Sequence, residues 1–234
     1  MQTVDRSSVM QLLAPNQCQP LRVVALGDSL VYGYGDPDKG GWVEQLRRQW
    51  LSPDSAGHVL YNLGVRGDRV QQVSQRLEVE FRHRGELRNR VPDLIILSVG
   101  VNDSPKLGRP DGKNYTSFDQ FELEIASLLD QAQQLCSVVF VGMIPVNEYK
   151  MPFLDCFYYN HQDQYRYKEA TKAACNQRHI PYLDIFDKWI AHSETWRQNR
   201  LSDDGLHPNT LGYQSLLEEV INWSALKKYT KNDV

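Results

Sequence analysis

Five residues spread along the 234-residue chain have the types needed for nucleophilic attack on a carbonyl: Ser29, Gly64, Asn102, Asp204 and His207. Ser29 follows an apolar run, in Gly27-Asp28-Ser29-Leu30. A serine hydroxyl is a poor nucleophile until a neighbouring base takes its proton, and histidine titrates in the useful range. Of the 6 histidines, His207 alone is followed by a proline and preceded three residues earlier by an acid, Asp204. A carboxylate at that spacing in a tight turn can accept from one ring nitrogen and leave the other facing a serine. The oxyanion formed on attack needs donors already in place, each worth about 3–4 kcal/mol when removed singly. The backbone N–H groups of Ser29 and Gly64 and the side-chain amide of Asn102 are of the right kind. At Gly64 the missing side chain would let backbone approach a substrate.

These residues need a scaffold that gathers them. Runs rich in Val, Ile and Leu recur at 21–26, 58–63, 93–100, 137–144 and 181–186. They lack in–out alternation, as strands covered on both faces do. Between them lie helical patterns at 41–51, 69–82, 118–132, 161–178 and 209–223. The clearest puts Phe118, Phe121, Ile125, Leu128, Leu129 and Ala132 on one stripe. Such alternation predicts an α/β fold, a parallel five-stranded sheet between two layers of helices. Ligands in these sheets bind beyond the carboxyl ends of the strands. Ser29 follows the first run, Gly64 the second, Asn102 the third, and Asp204 and His207 follow the fifth, all on one rim. The irregular segments 104–117 and 147–160 border the same edge, the latter carrying Met151, Phe153, Leu154, Phe157, Tyr158 and Tyr159. The stretch 153–159 reads equally as local core or as a substrate wall.

Taken singly, each motif has a plainer reading. Gly-Asp-Ser can be a polar turn or a helix cap, Asn102-Asp103 a turn, and Asp204 to Pro208 a helix start. What favours chemistry is their convergence. In order along the chain, GDSL, a following glycine, GVND and DGLHP resemble the sequence blocks of the GDSL or SGNH hydrolase family. The resemblance spans residues 27–208. It implies a flavodoxin-like α/β/α sandwich and ester hydrolysis, with Ser29 as nucleophile, His207 as base and Asp204 as its orienting acid. It further implies an oxyanion hole of Ser29 N–H, Gly64 N–H and the Asn102 side chain. One departure follows the second block, where Gly67 is succeeded by Asp68-Arg69. Valine at position 31 breaks G-x-S-x-G, which argues against the strained elbow of the ordinary α/β-hydrolases.

Asp28 and Asp103 are expected to brace the site turns by hydrogen bonds. Together with Asp36 and Asp38 they could instead hold magnesium, but no Walker-type loop accompanies them, and no metal or cofactor is expected. The formal net charge of −3 gives no basic face for nucleic acid. Neither a secretory leader nor an apolar run long enough to span a bilayer is visible, and Cys18, Cys136, Cys156 and Cys175 lack metal-type spacing. The expectation is therefore a cytoplasmic protein with free thiols. An extension at 1–20, one domain at 21–226 and a tail at 227–234 complete the division. The expected substrate is a small-molecule ester with a short acyl or acetyl group. Segment 147–160 keeps a lysophospholipase or thioesterase in view. A non-catalytic flavodoxin-like binding protein is the rival from another class, its one suggestive feature being Gly33-Tyr34-Gly35.

Overall fold

The computed structural model describes residues 20–53, 55, 57–84 and 90–230. The extension expected at 1–20, Pro20 excepted, and Cys18 lie outside the described residues, as does the end of the tail.

The central sheet is built from β1 (Arg22–Gly27), β2 (Val59–Gly64), β3 (Leu94–Ser98), β5 (Ser137–Val141) and β7 (Tyr182–Leu183), in the order β2-β1-β3-β5-β7. All neighbours are parallel. Every residue of β3, the middle strand, is buried, which explains its apolar run Leu94-Ile95-Ile96-Leu97. The helices α1 (Ser29–Tyr32), α2 (Gly41–Trp50) and α8 (Thr210–Asn222) pack together on one side. On the other side lie α3 (Val70–His83), α4 (Phe118–Leu135) and α5 (His161–Gln177). The α4 stripe turns Phe121, Ile125, Leu128, Leu129 and Ala132 into the core. Each larger member contributes about 1.5–3 kcal/mol by leaving water.

The register matters most for the site. Gly27 at the end of β1 is level with Gly64 of β2 on one side and with Ser98 of β3 on the other. The chain leaves β1 toward β2 and then crosses to β3 on the opposite flank, so the order switches beside β1. Three strand ends therefore open onto one rim around Ser29.

Two expectations need revision. The fifth run, expected as a strand over 181–186, is extended only at Tyr182–Leu183. Asp184 then caps α6 (Ile185–Ile190) by accepting the Asp187 N–H at 3.1 Å, which ends the strand. The irregular segments do not remain separate loops. Lys106–Leu107 (β4) and Phe157–Tyr158 (β6) pair as a small antiparallel ribbon, tying 104–117 to 147–160. At the carboxyl end, α9 (Ser224–Thr230) runs through the position where the tail was expected to begin. Among the described residues no helix is long and apolar enough to cross a membrane.

Candidate active site

Ser29 is the first residue of α1, immediately beyond β1, and Asp28 caps that helix by accepting the Leu30 N–H at 2.9 Å. Its hydroxyl lies 2.8 Å from His207 Nε2, a contact between residues 178 apart in sequence. The other ring nitrogen, Nδ1, is 2.7 Å from Asp204 Oδ2. The turn itself explains why Asp204 reaches that nitrogen. Its Oδ1 accepts the N–H groups of Leu206 and His207 at 2.9 and 3.0 Å, leaving Oδ2 aimed at the ring. Burial pushes the Asp204 carboxyl up, but the bonds from His207 and Leu206 outweigh it and hold it below the usual range. The hydrogen-bonded carboxylate holds the ring with Nε2 turned toward the Ser29 hydroxyl. Ser29 and His207 are both buried.

The donors sit at the neighbouring strand ends. Asn102 lies in a short 3-10 turn at Val101–Asp103. Its Nδ2 donates to the Asp68 carbonyl at 2.9 Å, and its Oδ1 accepts from the Tyr159 hydroxyl at 3.2 Å. The Gly64 N–H donates to Asn62 Oδ1 at 3.0 Å. A β-carbon on Gly64 would stand 2.1 Å from the Tyr32 nitrogen. The missing side chain thus serves first to let β2 pack against the helix that carries Ser29, rather than only to admit a substrate. The Gly33-Tyr34-Gly35 turn has a similar explanation. Side chains there would meet the Gly40 carbonyl at 2.0 Å and the Pro208 carbonyl at 2.4 Å, so these glycines serve packing rather than a phosphate cradle.

Two fully buried acids lie beneath this layer. Asp103 accepts from the Thr116 hydroxyl at 2.7 Å and the Val70 N–H at 3.1 Å, tying the 104–117 segment and α3 to the turn that carries Asn102. Burial raises its carboxyl to about 6 despite those bonds. Asp28 has only the Leu30 N–H on one oxygen, and the other oxygen has no partner among the described residues. Burial, reinforced by the charges of Asp103 and Asp68, lifts it to about 7.

Among the described residues, one cluster of carboxylates has the spacing of a cation site: Glu169, Asp184 and Asp187. The Lys168 ammonium already occupies its centre, 2.7 Å from Glu169, 2.9 Å from Asp184 and 2.6 Å from Asp187. Asp28 and Asp103 each have their own donors and do not converge on a common point with Asp36 and Asp38.

Comparison with known proteins places the chain in a family. Residues 25–215 match the model of the GDSL-like Lipase/Acylhydrolase family. The chain belongs to that family. It is accordingly a carboxylic ester hydrolase. Bacillus subtilis (strain 168) has a relative, the uncharacterized protein YpmR, 25% identical over 228 residues, with 88% of this chain and 81% of YpmR covered. Among solved structures, a lipase/acylhydrolase from Enterococcus faecalis superposes with a TM-score of 0.70 at 18% identity, covering 92% of this chain and 99% of its own. An acetyl xylan esterase from Geobacillus stearothermophilus gives 0.67 at 17% identity, covering 88% and 95%. At such identities the likeness is one of fold.

The structure also surrounds this GDSL-family site with residues to which the sequence assigned no definite role there. Tyr34 stands edge-on to the His207 ring with centroids 4.6 Å apart, and Phe153 approaches it at 5.7 Å. Tyr213 donates to the carbonyls of Tyr34 and Ser29 at 2.8 and 3.3 Å, securing α1 against α8. Arg76 bridges the Gly27 carbonyl at 2.9 Å and Asp68 at 2.7 Å, locking the turn after β2 onto the end of β1. Of these, Phe153 and Tyr159 lay in the aromatic stretch left open between core and wall. Tyr159 is buried in the core against Asn102, and Phe153 is half-buried and packs on that core beside His207. Tyr34 stood in the Gly33-Tyr34-Gly35 turn, and Tyr213 and Arg76 carried no local signal.

Proposed function

We propose that the chain hydrolyses small-acyl esters, acetyl esters foremost, through an acyl-enzyme on Ser29. The observation that carries the reading is the continuous chain Ser29 Oγ to His207 Nε2 at 2.8 Å and His207 Nδ1 to Asp204 at 2.7 Å. His207 takes the hydroxyl proton as Ser29 Oγ bonds to the carbonyl carbon, and Asp204 steadies the imidazolium that results. The charge developing on the carbonyl oxygen is met by the Ser29 N–H, the second amide hydrogen of Asn102, and the Gly64 N–H shared with Asn62. Collapse expels the alcohol, which takes its proton from His207. Water, deprotonated by the same ring, then cleaves the acyl-enzyme and restores Ser29.

Preference for a small acyl group is supported by the closeness of Phe153 to His207. The likeness of fold to an acetyl xylan esterase points the same way. An organophosphonate should label Ser29 stoichiometrically, and Ser29→Ala should abolish both labelling and turnover. A series of p-nitrophenyl esters should peak at acetyl or propionyl. A peak at medium or long chains would replace this reading with a lysophospholipase or thioesterase, and an unlabelled Ser29 with no ester hydrolysed would refute it.

A further inference from the structure

The turn between Gly64 and Asp68 holds an arginine that the proposed chemistry does not use. Arg66 is exposed, and its guanidinium carbon lies 3.7 Å from the centre of the Tyr34 ring. That ring in turn stands against His207. Stacking on an aromatic face fixes the guanidinium plane while leaving its in-plane N–H groups free to donate. Among the described residues Arg66 has no hydrogen bond and no ion pair. The nearby carboxylates are committed elsewhere: Asp68 to Arg76, Asp204 to His207, and Asp36 to backbone N–H groups, Gln45 and Thr210. Asp203 is exposed and forms no ion pair with Arg66.

Proton traffic decides which half of the ester this wall faces. His207 returns its proton to the departing alcohol, so the alcohol leaves on the side of the ring, where Tyr34 and Arg66 stand. We infer that Arg66 is a specificity residue that recognises an anionic group, a carboxylate or a phosphate, on the alcohol half of the ester. The planar fork of donors matches either anion. The inference rests on the roles proposed for Ser29 and His207.

The test compares 4-acetoxybenzoate and 4-acetoxyphenyl phosphate with neutral methyl 4-acetoxybenzoate, all acetyl esters, each rate divided by that in hydroxide. At low salt kcat/KM for at least one anion should exceed that for the neutral ester by about fivefold, the scale of one partly exposed charge pair. The excess should lie in KM and shrink as salt rises. Arg66→Gln should bring the ratio near unity, and Arg66→Lys should keep part of it. Equal rates for all three esters in the wild type would overturn the inference, as would an anion preference that survives Arg66→Gln. Either result leaves the proposed function standing while the neutral ester is still cleaved. If none of the three is cleaved and Ser29 resists labelling, it is the proposed function that fails.

Discussion

Asp28 and Lys168 are both fully shielded from solvent, yet the fold treats their charges in opposite ways. Lys168 ends among Glu169, Asp184 and Asp187, all within 2.9 Å. Burial works against its charge, but those bonds outweigh it and hold the proton more tightly than usual. Asp28 has one N–H, one unpartnered oxygen, and like-charged neighbours in Asp103 and Asp68. Where a charge serves only packing, the fold surrounds it with counter-charge. Beneath Ser29 it tolerates an uncompensated acid, a pattern that concentrates at functional sites. The contrast separates a cluster that holds the α5–α6 junction from one that holds the turns carrying Ser29 and Asn102.

The sharpest test of that division is Asp204→Asn. It should lower kcat on the order of 10⁴-fold by presenting the wrong ring tautomer, with little change in thermal unfolding. A stability loss matching the activity loss would erase the distinction. Lys168→Met should do the reverse, costing about 3 kcal/mol in urea unfolding while kcat of the folded fraction holds. The cost stays at the low end because Glu169 and Asp187 are partly exposed and can regain water.

Asp28→Asn should be smaller and of opposite sign. The folded carboxyl sits near 7, above its ordinary value of 3.8, so between those values the native state binds more protons than the unfolded one. Wild-type stability therefore falls as pH rises through that window. The amide, which keeps the cap to Leu30 but carries no charge, should remove the slope and stabilise the protein at pH 8. Urea curves from pH 4.5 to 8 measure this, and parallel slopes in the two proteins would show that Asp28 is compensated after all. Smallest is Tyr159→Phe, which removes the hydrogen bond orienting Asn102. It should reduce kcat about fivefold with KM nearly unchanged, the scale of one hydrogen bond of about 1 kcal/mol. A rise in KM alone would make Tyr159 a substrate contact instead.

Legibility in the sequence followed the range of the interaction. The Asp204–His207 contact is made inside one turn, three residues apart, so spacing alone revealed it. The β1 and β3 runs were readable because strands covered on both faces must be largely apolar. The fifth run was not, because Asp184 caps a helix inside a segment whose apolar residues suit either element. Tyr159 and Asn102 meet across 57 residues, and nothing local to either position marks the other.

By itself the sequence determined the residue types that can react, the strands that end beside them, and through its blocks the family. Only the tertiary structure decided that His207 Nε2 comes to 2.8 Å from a hydroxyl 178 residues away, that Tyr34 carries a stacked arginine beside that ring, and that the acid under Ser29 has an oxygen without a partner among the described residues. The physical reason is common to all three. Hydrophobic patterning and turn chemistry act over a few residues and can be read along the chain. Distances between strand ends, and the water excluded among them, arise only when the whole sheet packs.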